Sequence, residues 1–279
     1  MLEMRGELFC RLRDRRPLTM LREISMSTLR HAVLQTDLNP PGHDQLLRAF
    51  RAVPGLTPYD ASILGNDAFG VLVKNFSAEQ AAALHSALRS EGIETEIVEQ
   101  SLLPEMPPAN FVQRLECAPE HLLVFDPLGN SFPLEWRHVF LIAAGAVRVS
   151  DFVRREVKRP VKRYHGSGHV SEEVESDSVT REEQNVHLLG EILITGAALR
   201  YSFRADKFNF GCLGARRTDS LVGNFAGFLR DLAQFAPHAG LNRGASGLAR
   251  ETPEVFSYPT KNAFHEEIVW MLWQIKKRA

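Results

Sequence analysis

Apolar residues recur along this chain at two different periods, and the alternation between them divides it into elements. The short, partly β-branched run LRHAVLQT, Leu29 to Thr36, predicts a strand that ends in the loop DLNPPGH. Residues 43–53 then place Leu46, Leu47, Phe50 and Val53 on one helical face. After a break at PGLTP, the runs YDASILG and AFGVLVKNF, separated by Asn66-Asp67, predict a hairpin. Ser77 with Gln80 has the form of a capping box before AAALHSAL, and Gly92 sits where a left-handed C-terminal residue belongs. The alternating run IETEIVEQ predicts a closing strand.

The predicted order over residues 27–103 is βαββαβ, which resembles the ferredoxin-like arrangement. RNA-recognition motifs share that topology, so the third strand is tested against their signature. Phe69 and Gly70 fit, but Val71 and Lys74 occupy the stacking positions and the first strand offers no aromatic. Without a base-stacking platform, nucleic acid is not expected as a partner.

The spacer LLPEMPPA marks a domain boundary, and short strands follow it. They are FVQRLEC, HLLVFD, SFPLEW, VFLIAAGAVRV, HLLGEILIT, ALRYSFRA and KFNFGCL, with DPLGN as a tight turn. Asp219 or Ser220 then caps a helix whose Leu221, Phe225, Phe228, Leu229, Leu232 and Phe235 recur at three and four, and Pro237 ends it. Seven strands and a helix over residues 108–251 resemble a pleckstrin-homology-like barrel closed by its helix. The piece FPLEWRHVFLIAAGAV is similar to bacterial members. The resemblance implies a lipid, peptide or protein ligand without choosing among them.

Residues 151–187 interrupt that strand series and divide by charge. Arg154, Arg155, Lys158, Arg159, Lys162 and Arg163 precede Glu172, Glu173, Glu175, Asp177, Glu182 and Glu183. The low apolar content predicts a solvated loop whose halves attract one another. The alternative is a basic arm for anionic lipid or nucleic acid, although the acidic block would cancel much of the counterion release. His165 and His169 with Glu172 would make a metal set only on a helix, and the glycine-rich context does not supply one. In the last segment, 252–279, His265-Glu266-Glu267 fails HExxH because Val269 stands at the second histidine position. The run AFHEEIVWMLWQIKKR is a helix apolar nearly all round. Phe264, Trp270 and Trp273 mark it as packing between the two domains or as an interface, with homo-oligomerisation through it as one outcome.

With 279 residues, 44% hydrophobic and 24% charged, the chain is long enough for two globular domains. Its 33 basic and 34 acidic residues nearly cancel, so net charge suggests no anionic partner. Cys10, Cys117 and Cys212 form no CxxC pair and read as reduced thiols of a cytoplasmic protein. No apolar run approaches the roughly 20 residues of a membrane helix. Residues 1–26 are arginine-rich, lack a signal-peptide core, and read as a loose tail or a mis-called start.

One stretch, NFGCLGARRTDS, tests for catalysis. A Cx5R phosphate loop needs arginine six residues after the cysteine, but Thr218 is there, with Arg216 and Arg217 at four and five. The stretch therefore reads as a turn. No catalytic constellation, cofactor fingerprint or metal set can be assembled from motifs. The expectation is an α+β, non-enzymatic binding or scaffold protein for an unknown protein or small ligand. Cys212 with Arg216 and Arg217 carries the enzyme alternative, and the basic block carries the anionic-surface alternative.

Overall fold

In the computed structural model, residues 29–39, 41–164, 170–195 and 199–278 are described. The chain builds two sheets on either side of its last helix. The first unit runs β1 (His31–Gln35), α1 (His43–Arg51), α2 (Pro58–Asp67), β2 (Val71–Phe76), α3 (Ala78–Ser90) and β3 (Thr95–Glu99). Its sheet is antiparallel in the order β2-β1-β3. The capping box at Ser77 forms as expected, and Gly92 is left-handed at φ 78°.

The strand expected at Tyr59–Gly65 is helical instead, so the four-stranded βαββαβ order is not the one found. The cause is local. Thr57 caps α2 by accepting the Asp60 amide, the Asp60 carboxylate accepts the Thr57 amide at 2.9 Å, and Pro58 occupies the first turn.

The second unit begins with β4 (Ala109–Phe111), β5 (Leu115–Cys117), β6 (His121–Phe125) and β7 (Ser131–Glu135), then the long β8 (Val139–Tyr164) and β9 (Val170–Ile194), and β10 (Leu199–Arg204). It continues through α4 (Leu221–Phe235), β11 (Gly240–Leu241), α5 (Arg243–Leu248), β12 (Ser257–Tyr258) and α6 (Lys261–Arg278). Strands β5-β6-β7 form one sheet, while β11-β8-β9-β10-β4, with β12 on β8, form another. Among the described residues no sheet closes into a barrel, so the expected seven-strand barrel is replaced by two open sheets. The expected strand KFNFGCL is two tight 3₁₀ segments. Asn209 accepts the Gly211 amide at 2.8 Å, which bends the backbone, and Gly214 is left-handed at φ 53°.

Residues 151–187 are not a loop along most of their length. Strands β8 and β9 continue as an antiparallel ribbon from Ser150↔Gln184 to Tyr164↔Val170, about 50 Å at ~3.4 Å per residue. The register sets Arg159 across from Glu175 and Lys162 across from Glu172. Valines recurring at 153, 157 and 161 supply β-propensity that low overall hydrophobicity conceals. Pro160 and a run of like charge on each strand oppose edge-to-edge pairing with another copy. Asp151 and Glu183 are direct partners, so replacing residues 152–182 by an Asn-Gly turn is expected to preserve one cooperative unfolding transition. Stability should change by no more than about 1 kcal/mol, since closure entropy varies slowly with loop length. Loss of cooperativity in urea denaturation would show that the ribbon supports the core.

The layers follow from strand alternation. On the first sheet, Val33 faces α1 to α3 with Leu46, Phe50, Leu84 and Leu88. Ala32 and Leu34 face the other way, against Val269, Trp270 and Trp273 of α6. On the second sheet, Ile142, Ala144 and Ile192 face α4, whereas Leu141, Ala143 and Leu193 meet Phe264, Ile268 and Leu272 of α6. Helix α6 is thus the middle layer between two sheets, which explains why its apolar residues run nearly all round. Gly70 marks a close approach of the first unit to α6: it is left-handed at φ 71°, and a Cβ there would lie 2.8 Å from the Trp270 side chain.

Candidate functional site

The loop with Cys212 contains no reactive arrangement. Arg216 is bound in a fork to Asp231, with Nη1–Oδ1 at 2.7 Å and Nη2–Oδ2 at 2.6 Å, so it does not stand ready for an oxyanion. Arg217 is exposed and faces a separate shallow cavity with Thr218 and Asp219. The Cys212 thiol packs against the core beside Phe210 and Leu213, and burial pushes it up to about 11, with Asp231 and Glu116 acting in the same direction. Burial raises the Cys117 thiol as well. Cys212 should therefore alkylate only slowly at pH 8, and Cys212→Ser should leave binding functions intact. Fast iodoacetamide labelling with a midpoint near pH 6 would contradict this.

Of the basic block, Arg154, Arg155, Lys158, Arg159, Lys162 and Arg163 lie along β8 of the ribbon, with Arg159 exposed. His165 and His169 lie outside the described residues. Phe264 is fully buried against the second sheet, whereas Trp270 and Trp273 reach the first one. The Trp270 indole donates to the Gln35 carbonyl at 2.6 Å, and that of Trp273 donates to Glu96 at 2.9 Å. These three residues therefore fasten the two units together within one chain.

The polar groups that do converge are consecutive: His265, Glu266 and Glu267. Each reaches a different neighbour because successive helix positions diverge by about 100°. His265 Nε2 lies 3.3 Å from Glu191 Oε1, and Glu191, 1% exposed, takes the Arg200 guanidinium at 3.0 and 3.1 Å. Arg200 also donates to the Pro107 carbonyl at 2.8 Å, tying the interdomain spacer to the second sheet. Glu266 pairs with Lys74 of β2 at 2.7 Å, and burial raises its carboxyl against the opposing pull of that ammonium.

Glu267 is fully buried. It accepts the Arg243 amide at 3.0 Å and the Tyr258 hydroxyl. Tyr258 receives Asn242 Nδ2 at 2.8 Å, and Asn242 Oδ1 accepts the amides of Ala144 and Ala245 at 2.8 Å each. Burial raises both the Glu267 carboxyl and the Tyr258 phenol. A cavity of about 480 Å³ opens beside the first two networks, lined by Lys74, Gln100, Ser101, Glu105, His265 and Glu266.

In the sequence this triplet matches only the opening of a zinc motif that Val269 breaks. The signal for its actual role was three ionisable residues inside a helix with no polar face, a setting in which charges persist only when partnered. Among the described residues, no three His, Cys, Asp or Glu side chains converge as metal ligands, and no helix is long and apolar enough to cross a membrane. Comparison with models of known families, with curated proteins and with solved structures finds no match.

Proposed function

We propose that this protein is a non-enzymatic binding or scaffold protein with a rigid two-unit body. The observation that carries the reading is the engagement of the ionisable groups at the Cys212 loop and along α6: Arg216, Arg200, Glu191, Glu266 and Glu267 are held by fixed partners inside the chain. A catalytic acid, base or nucleophile needs a group left facing the substrate. Residues 27–103 are read as a ferredoxin-like module with one strand exchanged for α2, supported by the antiparallel order with β1 central. Residues 108–251 are read as a pleckstrin-homology-like module, supported by the packing of α4 on the β8–β9 face. A cytoplasmic setting is supported by two unpaired cysteines among the described residues.

Affinity co-purification with the full chain tests this reading against the cysteine-enzyme alternative. A stable partner retained equally by Cys212→Ser supports binding, whereas a turnover activity abolished by that substitution alone refutes it. A second reading, binding to anionic polymers or lipid surfaces, is favoured by the collection of six basic residues on one strand of the ribbon. It requires salt-sensitive heparin or acidic-vesicle binding that disappears when residues 152–182 are removed.

A further inference from the structure

Arg243 opens α5 at the place where the first unit, α5 and the segment before β12 meet. Its guanidinium carbon lies 4.3 Å from the Phe69 ring centroid and 5.0 Å from that of Phe256, and one Nη2 hydrogen goes to the Leu38 carbonyl. That is the one hydrogen bond its side chain makes among the described residues, which leaves most of a five-donor fork unused. No carboxylate among the described residues lies within 4 Å of it. Glu267 accepts the Arg243 amide and the Tyr258 hydroxyl, and Glu267, Tyr258 and Asp37 act on the guanidinium without pairing with it. Burial weakens the guanidinium's hold on its proton, against the opposing pull of Glu267, Tyr258 and Asp37.

In front of the fork lies a cavity of about 660 Å³, lined also by Asn39, Leu241, Ser246, Arg250 and Phe256. The one acid on its wall, Glu254, is held by Arg250 at 3.0 Å. The two rings and the Leu38 carbonyl already restrict the guanidinium, so binding an anion would cost little further side-chain entropy. Leu241 and Phe256 offer apolar walls to the rest of such a ligand.

We propose that Arg243 is the anion-recognition residue of a small-molecule site, taking one oxyanion group, phosphate or carboxylate, of a metabolite whose apolar part lies against Phe256 and Leu241. The site rests on the binding reading above and gives it a ligand class. Partner retention in the co-purification does not depend on it, so the two fail separately.

The test is calorimetric titration of the full chain with inorganic phosphate, pyrophosphate, AMP and citrate. The expected result is 1:1 binding of at least one probe. Binding by phosphate-bearing probes alone, or by citrate alone, identifies which oxyanion the site takes. Arg243→Lys keeps the charge but not the fork or the stacking, and should weaken binding about tenfold or more. Arg250→Met, on the exposed rim, should weaken it severalfold without disturbing the junction. If Arg243→Lys fails to fold, Arg250→Met together with protection of Arg243 from phenylglyoxal by the bound probe decides the matter. The proposal is overturned if no probe binds at about 10 mM, where even a millimolar site fills. Equal binding to parent and both variants also overturns it.

Discussion

Phe264→Ala is expected to lower the free energy of unfolding by about 3–5 kcal/mol, the range for emptying a fully buried aromatic site. Phe264 is 0% exposed, and its ring meets Tyr258 edge-on at 5.0 Å between centroids. It lies in one cluster with Leu141, Ala143, Leu193 and Ile268, where sheet and helix leave little room to collapse into the cavity. Trp270→Ala should act differently. That side chain is only partly buried, but it joins α6 to the first sheet through the Gln35 carbonyl and contact with Gly70. Its removal should separate the unfolding of the first unit from that of the second, giving two urea transitions in place of one. A loss below about 1 kcal/mol for Phe264→Ala would mean that α6 docks loosely.

The all-round apolar character of α6 was legible in the sequence because no single sheet could cover it, and two sheets do. Caps were equally legible at Ser77 and Ser220, since a hydroxyl that satisfies a free amide is a short-range feature. The structure departs from the sequence pattern where a local rule outweighs composition. YDASILG reads as a strand by its residues, yet the T-P-Y-D box before it had already committed the backbone to α2. The charged segment reads as a loop by its hydropathy. It sits, however, between two strands already paired in the core, so continued pairing satisfies its backbone groups at each further step. Most of the candidate site was not legible: Glu191 and Arg200 lie 74 and 65 residues from His265, Asn242 reaches Glu267 through Tyr258, and no periodicity connects them. Arg243 had no motif at all; its significance lies in what does not contact it.

Glu267→Ala is expected to destabilise the protein by about 2–4 kcal/mol near pH 5, because the Arg243 amide and the Tyr258 hydroxyl both lose their acceptor in a buried setting. The deficit relative to the parent should shrink as pH rises towards 8. Burial raises the folded-state value of this carboxyl above its unfolded value, so the folded chain retains a proton that the unfolded chain has already released. That contribution to stability is fully present below the unfolded carboxylate value and is lost as pH rises through the raised one. The parent therefore carries a growing cost of ionising Glu267 that the alanine variant lacks. Asp60, Asp126 and Asp206, whose carboxyls are held low, change stability in the opposite sense, but parent and variant share them and the difference removes them. Urea denaturation of both proteins at pH 5, 6.5 and 8 measures this difference. Glu267→Gln, which keeps the volume and one acceptor, should show the parent's unfolding transition without this component of its pH dependence. A deficit that stays constant or grows with pH would mean that the carboxylate is charged throughout, and that its partners stabilise it more than burial opposes it.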